Sequence, residues 1–171
     1  TEQEQQQQQG TPTTSNTPTS QDSTPTSQDN TATQISFSVL TGTWTPSNGT
    51  GTATGGGVNA TLTLKGGQVA LTNANNSGTV QVFSNIYWDA VQGGSTILSD
   101  VRDNFGGSGT KTFTNVSGNT WRYSDTDSDG PQSTTITLTS AATANVERDG
   151  YYSDDNLSGV HFHMTYTITK Q

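Results

Sequence analysis

From Ile35 onward the chain consists of short runs in which Val, Ile, Leu and aromatic residues alternate with Thr, Ser and Asn, with Gly, Asn and Asp gathered between the runs. Apolar residues at every second position describe a strand with one buried and one polar face, whereas an amphipathic helix would repeat near 3.6 residues, a period found in no helix-length window. The clearest run is 160–168. There Val160, Phe162, Met164, Tyr166 and Ile168 alternate with His161, His163, Thr165 and Thr167.

Further strands are predicted over 35–45, 79–88, 96–101, 111–116, 120–124, 134–139 and 143–147. Two hairpins join the set. Gly66-Gly67 suits a type I′ turn, which needs positive φ at both central positions, and would set Lys65 opposite Gln68, Leu64 opposite Val69 and Leu62 opposite Leu71. Gly118-Asn119 would set Val116 opposite Trp121 and Thr114 opposite Tyr123. About eight to ten short strands with close spacing and no long crossover predict an all-β antiparallel meander, folded as a barrel or as a two-sheet sandwich.

Residues 1–34 break the pattern. They hold none of the aromatic residues and only Ala32 among the apolar ones, and they contain a glutamine run, Gln5 to Gln9, and a near-exact repeat, TPTSQDS followed by TPTSQDN. Such a segment buries too little apolar surface to offset an ordering cost of roughly 1–2 kcal/mol per residue. It is predicted to be a disordered low-complexity spacer, followed by one domain over 35–171, of a size that supports a single core. The sequence begins at Thr1 without Met, as it would after a leader is removed. A Thr/Ser/Gln/Pro spacer followed by a small Thr-rich β domain resembles the mature part of a bacterial surface lipoprotein. That resemblance implies a secreted or cell-envelope location and a lipid-bearing Cys upstream of residue 1.

A second resemblance lies at the first strand. Gly42-Thr43-Trp44, within LTGTWT, resembles the opening G-x-W motif of lipocalin-like barrels. It implies that Trp44 plugs the closed end of a barrel with an Arg of the last strand packed across it. Here the last strand ends Thr169-Lys170-Gln171, without an Arg.

Charge narrows the partners. Six Lys and Arg stand against fourteen Asp and Glu, for a formal charge of -8. This lacks the basic footprint that nucleic acid requires. No apolar run approaches the roughly 20 residues of a transmembrane helix, and there are no cysteines to form a disulfide or thiolate–metal scaffold. Glu2, Glu4, Asp22 and Asp29 belong to the spacer, leaving a smaller negative charge on the domain.

An up-and-down strand order sends the short turns (66–67, 92–95, 117–119, 140–142) to one end. The longer connections (46–57, 73–77, 102–109, 125–133, 148–159) go to the other, and they carry Asp103, Asp125, Asp127, Asp129, Asp149, Asp154 and Asp155. Phe105, Tyr151 and Tyr152 in these connections are the candidate exposed binding residues. Asp125, Asp127 and Asp129 have the spacing D-x-D-x-D-G, which can converge on Ca²⁺ and could be completed by Asp149, Asp154 or Asp155. The same residues suit an ordinary acidic turn, and the bidentate Glu of an EF-hand loop is replaced by Ile136. His161 and His163 share a strand face without an identifiable third ligand, and Trp44, Trp88 and Trp121 fall in strand patterns that make them core.

Neither a G-x-S-x-G elbow nor a nucleophile–base–orienter set stands out. The sequence thus predicts a non-enzymatic, secreted or surface-tethered β domain that binds a protein or glycan through its long acidic loops. The alternatives are a lipocalin-like carrier of a small apolar ligand and a structural subunit that assembles through an exposed edge such as 35–45.

Overall fold

A computed structural model describes residues 33–171. The spacer expectation for 1–34 lies, over residues 1–32, outside the described residues. Among the described residues ten strands follow in chain order: β1 (Gly42–Gly55), β2 (Val58–Thr72), β3 (Thr79–Gln92), β4 (Ser95–Asp103), β5 (Gly109–Thr112), β6 (Thr114–Ser117), β7 (Thr120–Thr126), β8 (Pro131–Leu138), β9 (Thr143–Tyr152) and β10 (Val160–Lys170). A 3-10 turn at Phe37–Leu40 precedes them.

All strands belong to one antiparallel sheet, in the order β4-β3-β2-β1-β10-β9-β8-β7-β6, with β5 also on β3. The first and last long strands pair directly, from Trp44 opposite Lys170 to Thr54 opposite His161. Both β4 and β5 run along β3, and after Phe113 alone the chain steps onto β7 as β6. The covalent chain thereby joins the two ends of the ladder. The sheet is not closed, since β4 and β7 are not hydrogen-bonded to each other, and it surrounds one core as an open shell.

Alternation fills the shell. On β10 Val160, Met164, Tyr166 and Ile168 are buried, and they meet Trp44, Leu62, Leu71, Val82, Ile86, Trp88, Ile136 and Val146 in one core. Full burial of each large apolar side chain is worth roughly 1.5–3 kcal/mol. The lower end is closed by aromatic packing: Phe37 sits 4.6 Å from Trp121 and 5.7 Å from Phe113 between ring centroids. Trp44, fully buried, donates its indole N–H to the Leu40 carbonyl at 2.8 Å.

Three expectations are corrected. The region 35–45 is not one strand, because Phe37 and Leu40, three residues apart, both turn inward on the 3-10 turn, and β1 begins only at Gly42. Residues 46–55, expected as loop, continue β1. Gly66 and Gly67 make no hairpin: they lie inside β2, opposite Tyr87 and Ile86, at a register shift after Leu64. A Cβ on Gly67 would lie 1.9 Å from the Asn85 carbonyl oxygen, so the glycine permits a close backbone approach at a bulge. Two-residue turns with positive φ at both positions lie instead at Gly56-Gly57, with φ of 58° and 83°, and at Gly93-Gly94, with φ of 59° and 81°.

The hairpin at Gly118-Asn119 forms, but Val116 is bulged out and 60% exposed, so Asn115 rather than Val116 pairs with Trp121. The loops sort accordingly. The turns at 56–57, 93–94, 127–130 and 153–159 share the upper end with Gly55 and Val160. Those at 73–78, 118–119 and 139–142 share the lower end with Trp44 and Lys170.

Candidate functional site

The interior is unevenly filled. In its upper half lies a cavity of ≈ 80 Å³ walled by Ala53, Leu62, Trp88, Ala90, Leu98 and Met164, with Phe162 and Tyr152 toward one side. Small residues create the space, since Ala53 and Ala90 occupy inward positions where other strands place Val, Leu or Trp. Beside it a cleft of ≈ 350 Å³ opens where β4 and β7 are unpaired, bounded by the 104–107 turn on one side and by Asp125, Asp127, Gln132 and Tyr151 on the other. Arg102, Asp103, Tyr152 and Phe162 border both spaces. The cleft alone lies within the range of small-molecule sites, and the cavity alone lies below it.

The layer beneath is polar. Arg148 stands at an inward position of β9, in register with Ala144 and Val146, and is 2% exposed. Its Nε and Nη2 donate to the Asp103 carboxylate at 3.1–3.2 Å, and its Nη1 donates to the Ser133 carbonyl and, at 3.1 Å, to the Thr134 hydroxyl. Burial pushes the guanidinium toward neutrality, but Asp103 outweighs it and holds Arg148 above its ordinary value, so the guanidinium stays charged. Phe162 covers the guanidinium, 5.6 Å from ring centroid to Cζ.

The sequence candidates divide. Phe105, expected as an exposed loop aromatic, is fully buried with a positive φ of 60°. Its carbonyl accepts a hydrogen bond from Thr134 Oγ1 at 3.0 Å, which ties the 104–108 turn to β8 across the unpaired gap. Tyr151 and Tyr152 end β9 rather than lying in a loop, and both are half-buried at the cleft. Tyr152 donates its hydroxyl to Asp154 at 2.8 Å.

The three aspartates of the D-x-D-x-D-G run border the cleft, and the carboxylates of Asp125 and Asp127 are engaged in local contacts. Asp127 Oδ1 accepts from the backbone N–H groups of Asp129 and Gly130 at 2.9 and 3.1 Å, and Asp125 accepts from the Tyr123 hydroxyl and the Thr126 N–H. Among the described residues no group of three or more His, Asp or Glu side chains converges in a way that could hold a metal ion. Asp154 likewise caps its own turn, accepting from the N–H groups of Asn156 and Leu157.

His161 and His163 lie on the outer face of β10 and both contact Asp149 across the strand pair, at 3.0 and 3.3 Å. Among the described residues the side-chain hydrogen bonds of these imidazoles run to Asp149 alone, so no nucleophile accompanies them.

The sequence pattern places Asp103 among the acidic residues of the long loops, whereas it ends β4 and is buried against Arg148, which sequence reading missed. The signal was present for Arg148: a charged residue at a core position of an alternating strand demands a buried partner.

Fold and site together define an all-β antiparallel domain, an open sheet around one core, with an apolar interior space beside a cleft. No family model matches the chain, and no curated protein matches it. Among solved structures it is similar to that of EF1p2_mFAP2b bound to DFHBI, at 15% identity and a TM-score of 0.42, covering 78% of this chain and 95% of that one.

Proposed function

We propose that this chain is a non-enzymatic binding domain that takes a compact, mainly apolar small molecule into the upper half of its shell through the cleft between β4 and β7. The observation that carries this reading is continuity: Arg102, Asp103, Tyr152 and Phe162 border both the cleft and the apolar cavity. A molecule entering past the tyrosines would exchange water for Leu62, Trp88, Leu98 and Met164, at about 25 cal/mol per Å² of apolar area buried. The carrier is thus preferred over recognition through the acidic loops, where Asp127 and Asp154 are occupied in holding their own turns. In this reading residues 1–34 act as a tether that displays the domain at a bacterial envelope.

Thermal unfolding of the full chain with methylenecyclohexane, toluene and cyclohexanone tests the reading. Binding to the folded state raises Tm by mass action. The rise should disappear in Ala90→Leu, which fills the cavity, while circular dichroism shows that the variant keeps its strand content. If none of the three probes shifts Tm at saturating aqueous concentration, or if Ala90→Leu responds as the parent does, the cavity is not the binding site.

A further inference from the structure

Among the described residues the buried side-chain polar atoms with no hydrogen-bond partner are Trp88 Nε1, Trp121 Nε1 and the Tyr166 hydroxyl. Trp121 belongs to the aromatic packing of the lower end. The other two residues pack together: Trp88 lines the cavity, and Tyr166, within electrostatic reach of the cavity-lining Asp103, packs edge-on against Trp88 with ring centroids 6.0 Å apart; they are 1% and 3% exposed. Native interiors pair nearly all such atoms, so orphans on two packed residues, one of which lines an apolar cavity, are a specific chemical demand.

Both groups are donors. An indole N–H has no acceptor capacity. Burial, with the Asp103 carboxylate adding to it and Arg148 opposing, holds the Tyr166 phenol well above its ordinary value, so it keeps its proton. The charges of the same layer are already matched: Arg148 and Asp103 are paired, and the remaining guanidinium contacts go to Ser133 and Thr134. Arg102, which also borders the space, is exposed and donates to the Ser84 carbonyl rather than into the buried layer. A carboxylate or ammonium entering this layer would be desolvated without a free buried counter-charge.

We infer that the ligand is an uncharged molecule with an apolar body and a hydrogen-bond acceptor, a carbonyl or ether oxygen, received by the Trp88 indole N–H and the Tyr166 hydroxyl. This rests on the small-molecule reading above and specifies its chemistry.

The test uses three probes of similar shape on the full chain: cyclohexanone, methylenecyclohexane and cyclohexanecarboxylate. Each is titrated while the indole N–H resonances are followed by ¹H–¹⁵N NMR, with Trp88→Phe assigning the Trp88 signal. Cyclohexanone is expected to move that signal downfield and to bind about tenfold more tightly than methylenecyclohexane, with cyclohexanecarboxylate weakest. Tyr166→Phe removes only the unpartnered oxygen and is expected to keep or raise Tm. It should lower affinity for cyclohexanone several-fold and leave that for methylenecyclohexane unchanged, a split that a packing role for Tyr166 would not produce.

Equal binding of ketone and hydrocarbon, or a Trp88 resonance unmoved at saturation, overturns this inference while leaving the cavity reading intact. Preferred binding of the carboxylate also overturns it. Failure of all three probes to bind overturns both.

Discussion

The Lys170 ammonium lies 5.4 Å from the centroid of the Trp44 ring and donates a hydrogen bond to the Val39 carbonyl at 2.6 Å. The last residues of β10 are thereby fastened to the segment that closes the lower end. The G-x-W resemblance implies an Arg across this tryptophan, and here a lysine makes the contact with a single point charge instead of a planar fork. A partly desolvated cation over an indole contributes roughly 0.5–2 kcal/mol, and a charged donor to a carbonyl about as much again. Lys170→Met, which keeps an apolar stem, should therefore cost about 1–3 kcal/mol in denaturant unfolding. Lys170→Arg should cost less than half of that. Equal losses in the two variants would mean that a positive charge over the ring is not what stabilises this contact.

Gly67 offers a test of the local backbone. At a hairpin turn Asn substitutes well for Gly, because it tolerates left-handed φ near +57°. Gly57, with φ of 83° and open space where a Cβ would go, should accept Asn with a loss of about 1 kcal/mol or less. Gly67 has φ of 131° and the Asn85 carbonyl in the way. Gly67→Asn should cost more than about 2 kcal/mol, as overpacking and backbone strain combine. Urea midpoints for the two variants give the comparison, and a Gly67→Asn protein as stable as Gly57→Asn would restore the hairpin at 66–67.

The legibility of the fold follows from which interactions are local. The period of two in β10 is local, and so is the Gly118-Asn119 turn, and both could be read directly. A Gly-Gly pair is ambiguous because the same freedom serves a turn or a bulge, and only the partner strand decides: at 66–67 it is β3 that runs straight past.

Two reversals expected at 66–67 and 102–109 do not occur, since β4 and β5 continue along the same strand. Their effects on loop placement cancel, so the connections from 117 onward fall at the expected ends, while 73–77 and 92–95 are exchanged. The candidate site was less legible. Trp88, Met164 and Phe162 read as core, and they are core side chains. The cavity beside them comes from Ala53 and Ala90 at inward positions, but the cleft that opens next to it exists because β4 and β7 are unpaired, and a missing pairing between distant segments has no local pattern.

Asp149 makes the outer face of β9 and β10 sensitive to acid. Partial burial pushes its carboxyl up, but the hydrogen bonds from His161 and His163 outweigh this and hold it below the usual carboxylate range. A depressed folded-state value means that the stabilisation is present above the unfolded carboxyl pKa of about 3.9 and is lost as pH falls through the lower folded value. The three side chains are about two-fifths exposed, 41–43%, so solvent screening keeps the effect in the range of surface pairs, roughly 0–1 kcal/mol. Asp149→Asn should be slightly less stable than the parent at pH 6, and the two should converge below about pH 3. Guanidinium midpoints across that range check it, and a gap that widens on acidification would reverse the sign.

The buried pair of Arg148 and Asp103 should dominate any substitution map of the domain. It links β9 to the end of β4 across the gap where no backbone rungs exist, and both side chains are at least nine-tenths buried. Removing one partner leaves an uncompensated charge in the interior, which costs about 3–5 kcal/mol. Asp103→Ala is therefore expected to lower stability by that amount, whereas Asp103→Asn, which keeps an acceptor for the guanidinium, should lose less. The double variant Arg148→Met with Asp103→Leu removes both charges and places apolar volume in the layer. It should regain most of the loss, because well-packed apolar residues replace such pairs at little net cost. The cycle is read by chemical unfolding of the parent, Arg148→Met, Asp103→Leu and the double variant, with coupling well above the ~0.5 kcal/mol expected of independent sites. Additive losses would mean that Asp103 and Arg148 act separately, and that the gap between β4 and β7 is held by the Phe105–Thr134 contact instead.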